Sequence, residues 1–290
     1  MKKIILFVVI LLISSISLIG CQGAGSDETP DGQEPGEGAE EHEVALYFSD
    51  TSLNDIYREY QTVVIGKDQS LEVATLEAWI KGPKSQFLVP LANKNTKVLS
   101  VKDVNGIAEV NFSKEIMSSQ VGSSGEAQLI EQITMAMQQF GYGKTAILIE
   151  GEIVESLAGH VDSTEPFYAL TYSAYLDVEL LESEVVVAQN NAFKLFTPAP
   201  NSVLPREAVV VRGLARIWEA SFSYELADSA SIRKTATAMA SEGAPGWGEF
   251  EFTMELDQNF VGPITLTLYE SSAIDGSPIN QLEVVFALKD

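Results

Sequence analysis

The chain has 290 residues, of which 46% are hydrophobic, and carries a formal net charge of −23 at pH 7. An acidic excess of this size repels nucleic acid and anionic lipid headgroups, which excludes a nucleic-acid-binding protein and a basic membrane-surface patch. A single cysteine excludes an intramolecular disulfide, so the folded part must depend on its hydrophobic core.

The first 21 residues have the pattern of a secretion signal. Lys2 and Lys3 precede the apolar run Ile4–Ile13, and the segment ends in a glycine followed by Cys21. A small residue directly before a cysteine resembles the cleavage site of bacterial lipoprotein precursors. The resemblance implies that residues 1–20 are removed and that Cys21 receives a diacylglycerol, with fatty acids such as palmitate, on the extracytoplasmic face of the membrane. A transmembrane helix and a plain secretory signal are the alternatives, and the apolar run is short for a bilayer span.

Residues 21–43 are predicted to form a tether. They are rich in acidic residues, glycine and proline and contain no lysine or arginine. Such a segment cannot bury enough apolar surface to offset its ordering entropy, and its like charges extend it. The composition therefore predicts a flexible, solvated spacer.

Residues 44–165 alternate between strand and helix patterns. Val44–Phe48 and Tyr60–Ile65 are predicted strands, and a helix then begins at Asp68 or Ser70 and ends at Gly82. The further predicted elements of this region are strands Lys97–Lys102 and Ile107–Phe112 joined through Asn105-Gly106, a helix from Ser123 to Gly141, strand Thr145–Ile149, and a short strand at Ile153 and Val154.

The second of these helices shows a specific start signal. Ser123 and Glu126 have the spacing of a capping box, in which each side chain bonds the other residue's backbone N–H. The order of elements predicts a compact α+β domain with its helices packed on one sheet.

The pattern changes at residue 193, where helical periodicity stops and short strands alternate with turn residues. Residues 193–290 are predicted to form an all-β sandwich, and residues 166–192 either connect the two domains or extend the first. The predicted strands are Phe193–Phe196, Ala208–Val211, Ala215–Leu226, Glu249–Leu256, Ile264–Tyr269 and Leu282–Leu288. Trp218 and Trp247 are predicted to fill its core; alternatively, they line a surface on which sugar rings stack.

The sequence offers little sign of catalysis. His160, Asp162 and a serine could in principle form a triad, but no nucleophile-elbow motif is present, and His160 is better explained as a loop residue. Asp275-Gly276-Ser277 is typical of a turn and lacks the spaced oxygen ligands of a calcium loop. No catalytic residue, cofactor site or metal site is predicted.

Two sets of short stretches carry a resemblance to known families. Those of the first region are Leu46–Asp50, Ala78–Lys84, Val98–Val101, Asn105–Ser113, Ile147–Glu152 and Gly159–Asp162. On these residues, the first region resembles the GerMN domain of sporulation and spore-germination lipoproteins. Those of the second region are Val211–Ala215, Trp218–Phe222, Gly246–Phe250 and Tyr269–Ser277. On these, the second region resembles an immunoglobulin-like domain found in bacterial germination proteins.

The resemblance implies a fold and a function. The fold is α+β: a compact GerMN-like α/β sandwich at residues 44–165, similar to ring-building modules of envelope-spanning assemblies, followed by an immunoglobulin-like sandwich. The implied function is non-enzymatic, through contacts with envelope, sporulation or germination proteins at the cell membrane, or at the forespore or mother-cell envelope. The alternative is a module that binds cell-wall peptidoglycan or assists a wall hydrolase.

Overall fold

The computed structural model describes residues 40–66, 68–230, 233–256 and 258–289. The predicted signal peptide, Cys21 and most of the predicted tether lie outside these residues. Hydrophobic clusters divide the described chain into a first lobe, residues 40–183, with two clusters, and a second lobe, residues 187–289, with one. Both lobes belong to one compact unit. No described helix is long and apolar enough to cross a membrane.

The first lobe contains nine strands and three helices among the described residues. They are β1 (Glu40–Asp50), β2 (Ile56–Ile65), α1 (Leu71–Lys81), β3 (Leu88–Val89), β4 (Val98–Val104), β5 (Ile107–Phe112), α2 (Ser123–Gln138), β6 (Lys144–Ile149), β7 (Glu152–Ile153), β8 (Phe167–Tyr168), β9 (Leu176–Asp177) and the short α3 (Glu179–Ser183).

The long antiparallel hairpin of β1 and β2 is the frame of this lobe. It pairs Glu40 with Ile65 at one end and Ser49 with Ile56 at the other, and β3 and β9 complete the sheet in the order β3-β1-β2-β9. The predicted tether thus ends earlier than expected, because residues 40–43 bond to β2 and are part of the hairpin.

A second sheet has the order β4-β5-β6-β7, with β8 also paired to β6. β4 and β5 form the predicted hairpin, and both turn residues, Asn105 and Gly106, have positive φ angles, as this turn requires. β5 and β6 run parallel, and the chain between them contains α2.

The prediction of helices packed on a single sheet is wrong. α1 contacts β1 and β2 of the first sheet and β4 of the second, and α2 contacts β1 of the first sheet and β6 and β8 of the second. Both helices are buried on more than one face, and their side chains join one core with both sheets. A helix that is apolar around most of its circumference is covered on more than one side. Helical periodicity alone does not show that a second sheet covers it.

A glutamine side chain protects the open edge of β1. The Gln139 amide accepts a hydrogen bond from the Ala45 backbone N–H (3.0 Å) and donates one to the Ala45 carbonyl (2.9 Å). These are the two bonds that a neighbouring strand would supply. Nearby, Gln132 of α2 donates to the Ser49 hydroxyl and accepts from the Trp79 indole N–H, which ties α2 to β1 and α1 through side chains. The residue that follows α2 therefore takes the place of a strand partner at Ala45.

The second lobe is a two-sheet sandwich, as predicted. Its strands are β10 (Ala188–Gln189), β11 (Phe193–Thr197), β12 (Val203–Leu204), β13 (Val209–Ala215), β14 (Ser221–Ala227), β15 (Arg233–Met239), β16 (Gly248–Met254), β17 (Ile264–Ser271) and β18 (Pro278–Leu288). The sheets have the orders β10-β11-β13-β16 and β12-β18-β17-β14-β15. Phe222 lies in the core between the rings of Phe193 and Phe250, with edge-to-face contacts at 5.3 and 4.9 Å between centroids.

Two strand predictions in this lobe are wrong. The predicted strand Ala215–Leu226 is interrupted at Trp218–Ala220, where Glu219 and Ala220 have φ angles of 58° and 57° and the chain passes from one sheet to the other. β15 is missing from the prediction because its threonine- and alanine-rich sequence has no apolar run and it lies at a sheet edge.

Residues 166–192 supply strands to both lobes. β8 pairs with β6 and β9 pairs with β2, whereas β10 pairs with β11 of the sandwich. An ion pair between Arg58 Nε and Asp177 Oδ1 (2.5 Å) also holds this segment to the first lobe. The segment therefore contributes one strand to each of three sheets, two in the first lobe and one in the second.

Candidate functional site: the junction between the lobes

A buried lysine joins the two lobes. Lys194 lies on β11, its side chain has no exposed surface, and its Nζ bonds to Asp55 Oδ2 in the turn between β1 and β2. The same Nζ donates to Gln189 Oε1 (2.9 Å) and lies over the rings of Trp247 and Tyr57, 4.9 and 5.8 Å from their centroids. Burying an ammonium group is costly without such partners, so Asp55 and the rings stabilise the contact between the lobes.

Trp247 lies in this junction and not on a ligand surface. Its side chain is 6% exposed, and the guanidinium of Arg216 lies 4.5 Å from the ring centroid, in addition to the Lys194 contact. The prediction that Trp247 belongs to a sugar-stacking surface is therefore wrong, because two cations and the protein interior already cover the indole. Its predicted burial is confirmed.

Trp218 has the opposite environment, and its predicted place in the core is wrong. Its side chain is 69% exposed, on the left-handed turn with Glu219 and Ala220, and its backbone N–H donates to Glu270 Oε1 (3.1 Å). Of these two tryptophans, only Trp218 therefore has the exposed side chain that a sugar-stacking surface needs. The structure does not bring the two tryptophans into one surface.

A cleft of about 200 Å³ opens beside the buried lysine. Its lining comes from both lobes and comprises Asn54, Asp55, Ile56, Gln128, Glu131, Leu170, Ala174, Tyr175 and Arg216. The Tyr175 hydroxyl donates to Glu131 Oε1 (2.5 Å), and its ring packs edge-to-face on Tyr47. Burial, together with the bond to Glu131, raises the pKa of Tyr175, so this phenol stays protonated and acts as a donor.

The predicted capping box does not form. α2 begins at Ser123 after the N-cap Gly122, without a side-chain cap, and Glu126 is fully buried. The Glu126 carboxylate instead accepts hydrogen bonds from the loop that follows β7. The donors are Ser156 Oγ (2.7 Å) and the backbone N–H groups of Ala158 (2.6 Å), His160 (2.7 Å) and Val161 (3.2 Å).

These bonds determine the protonation of Glu126. Burial alone would raise the pKa of Glu126, but the bonds from Ala158, Ser156, His160 and Val161 together outweigh it and place the pKa below its ordinary value. The carboxylate is therefore ionised at neutral pH and fixes the loop of residues 156–161 to the start of α2.

The other predicted polar groups are loop residues. His160 bonds to Glu126 through its backbone, and Asp162 accepts from the Thr164 backbone N–H and hydroxyl. Asp275 forms the same kind of turn with Ser277, which confirms the turn prediction. Among the described residues, no group of three or more histidine, cysteine, aspartate or glutamate side chains is placed to hold a metal ion.

Sequence reasoning missed the junction itself. Lys194 interrupts the apolar run Phe193–Phe196, which is the one visible sign that this lysine is unusual. Arg216 likewise interrupts an apolar run, between Leu214-Ala215 and Ile217-Trp218, whereas Asp55 and Glu131 lie in mixed polar and apolar surroundings and give no such sign.

Comparison with known families agrees with this architecture. A family model named Germane, described as sporulation and spore germination, matches residues 45–155. A second, Gmad2, described as an immunoglobulin-like domain of bacterial spore germination, matches residues 193–277. The chain belongs to the GerMN-domain proteins and carries a Gmad2 domain. No curated protein matches the chain.

Solved structures similar to this GerMN–Gmad2 chain include two of one sporulation protein. A candidate lipoprotein from Clostridium perfringens is 30% identical, covering 44% of this chain and 87% of its own, with a TM-score of 0.32. The first GerMN domain of the Bacillus subtilis sporulation protein GerM is 20% identical over 44% of this chain and 97% of its own, with a TM-score of 0.36. The tandem GerMN domains of GerM are 15% identical over 76% and 62%, with a TM-score of 0.38.

The two members of the buried ion pair should differ in their contribution to stability. Asp55→Ala leaves the fully buried Lys194 without its counter-ion and should cost about 3–5 kcal/mol. Lys194→Met should cost less, because the Asp55 side chain is 18% exposed and can turn to water. Urea unfolding of both single variants and of the double variant measures these losses in the free energy of unfolding. The double variant should be more stable than Asp55→Ala alone; equal costs for the two single variants would contradict the assignment.

Glu126→Gln should destabilise the protein in a pH-dependent way. The loss should be at least about 2 kcal/mol at pH 7, since an amide cannot accept all four bonds. The pKa of Glu126 in the folded protein lies below its ordinary value of 4.5. The difference in free energy of unfolding between the wild type and the variant is therefore fully present above pH 4.5, and it declines as the pH falls through the lowered pKa. Unfolding curves of the wild type and the variant at pH values from about 3 to 7 test this pH dependence. The exposed neighbour Glu155→Gln is the control, and a pH-independent difference would contradict the role of Glu126.

Proposed function

We propose that this protein is a lipid-anchored, extracytoplasmic envelope protein that acts without catalysis, through contacts with other envelope proteins in sporulation, germination or envelope assembly. The observation that carries the proposal is the presence of both germination-associated domains in one chain, behind an N-terminal segment that resembles a lipoprotein signal. The lipid on Cys21 would be the only covalent group that the protein needs.

The arrangement of the lobes supports a role in assembly. The buried Lys194–Asp55 pair and the strands of residues 166–192 hold the two domains in one orientation. A fixed pair of domains can present surfaces on both lobes to partners at a defined spacing. An exposed edge strand, β4, and the exposed Trp218 are available for such contacts.

Diacylglycerol is a suitable anchor for a protein of this charge. An anionic protein gains nothing electrostatically from an anionic membrane surface, whereas two acyl chains bind a bilayer firmly at about 0.8 kcal/mol per buried methylene. The predicted tether then separates the folded lobes from the headgroups.

Cys21→Ala should release the protein from the membrane. Without the thiol, no thioether to diacylglycerol can form, and the fatty-acid label should be lost. The measurement is cell fractionation together with metabolic labelling by an alkyne palmitate analogue. Ser26→Ala, in the predicted tether, is the matched control. Membrane retention of the Cys21→Ala protein, or an unlabelled wild type, would refute the anchor.

Crosslinking in living cells tests the proposed mode of action. The wild type should give adducts with envelope proteins that are lost in the Cys21→Ala variant, because the variant no longer resides at the membrane. Recovery of uncrosslinked protein alone would contradict the proposal. Sedimentation with purified peptidoglycan that disappears in Trp218→Ala would instead support the alternative of a wall-binding module, and clearing of a peptidoglycan gel would show an enzyme.

A further inference from the structure

Two opposite charges in the junction cleft lack ionic partners in the part of the chain that the structure describes. Arg216 comes from the second lobe and Glu131 from α2 of the first, and both line the cleft. Among the described residues, no carboxylate oxygen lies within 4 Å of the Arg216 guanidinium, and no lysine or arginine nitrogen lies within 4 Å of the Glu131 carboxylate. The third charge in the lining, Asp55, is already neutralised by Lys194. Partly buried charges of this kind are stabilised by a counter-ion.

Each of the two groups has bonding capacity left. Arg216 lies on the Trp247 ring, and its Nη2 donates to the Asn191 carbonyl (3.2 Å). A stacked guanidinium keeps an edge of N–H donors free to hold a carboxylate with two parallel bonds. Glu131 accepts the Tyr175 hydroxyl through Oε1, and its Oε2 accepts no hydrogen bond from the described residues.

The size and lining of the cleft restrict the ligand. Its volume of about 200 Å³ is below the roughly 300–1,000 Å³ of pockets for drug-sized molecules. Ile56, Leu170 and Ala174 add apolar surface to the lining. The ligand must therefore be small, with a short apolar part.

We propose that this cleft binds a small zwitterion of the α-amino-acid class. The ligand carboxylate pairs with Arg216, the ammonium group pairs with Glu131, and the side chain lies against Leu170 and Ala174. The lining is neutral overall once Lys194 is counted, which suits a ligand without net charge. A simple anion would meet the Glu131 carboxylate, and a simple amine would leave Arg216 unpaired.

Binding would also couple to the contact between the lobes. Because one charge comes from each lobe, the ligand bridges them and adds to the Lys194–Asp55 contact. The proposal depends only on the junction and does not require the lipid anchor or the envelope role.

Calorimetric titration of the purified full-length chain with L-valine and its two half-molecules tests the ligand class. Isobutylamine lacks the carboxylate and isovalerate lacks the ammonium group, while both keep the apolar part. Valine should bind at least about ten-fold more tightly than either half-molecule, since each charged pair contributes about that factor. No heat with valine up to about 10 mM, or equal affinity for a half-molecule, would overturn the proposal.

Variants assign the two ends of the ligand. Arg216→Gln and Glu131→Gln should each weaken valine binding by about ten-fold or more, and Arg206→Gln, on another part of the sandwich, should leave it unchanged. Unchanged valine affinity in both cleft variants would refute the site. If a cleft variant fails to fold, the ¹⁵N signal of the Arg216 side chain in the wild type is measured instead. This signal should shift when valine is added and should not shift with isobutylamine. A signal that does not shift with valine would overturn the proposal.

Discussion

The geometry of this protein depends on the neutralisation of one buried ammonium group. Lys194 has no exposed surface, so its charge must be matched inside the protein, and the matching carboxylate, Asp55, belongs to the other lobe. This requirement brings the β1–β2 turn against β11, beside the Trp247 ring on which Lys194 and Arg216 lie. Separating the lobes would deprive Lys194 of its counter-ion, so the contact between the domains is part of the folded state.

Local chemistry in the sequence predicted much of the secondary structure. Ser70 caps α1, Gly82 ends it with a positive φ angle, and Asn105-Gly106 forms the expected hairpin turn. These signals act over a few residues, and the sequence contains all of their parts. The prediction from Ser123 and Glu126 failed because a distant loop offers Glu126 four donors, which outcompete one local backbone N–H.

The junction could not be predicted in the same way. Lys194 and Asp55 are 139 residues apart, and nothing near either residue signals the other. The pairing strands β9 and β10 are two residues long, too short to leave a periodic pattern. Trp218 and Trp247 show the same limit: both are tryptophans in loops of the sandwich, and only the tertiary structure makes one exposed and the other buried.

The β1–β2 hairpin has a mechanical consequence. The described chain begins at Glu40, at one end of the hairpin, and the second lobe contacts the opposite end, about 30 Å away for ten paired residues. A pulling force between these two points runs along the covalent backbone of β1 and does not peel its hydrogen bonds apart one by one. Under tension, the contact of Asp55 with Lys194 would therefore yield before the hairpin does.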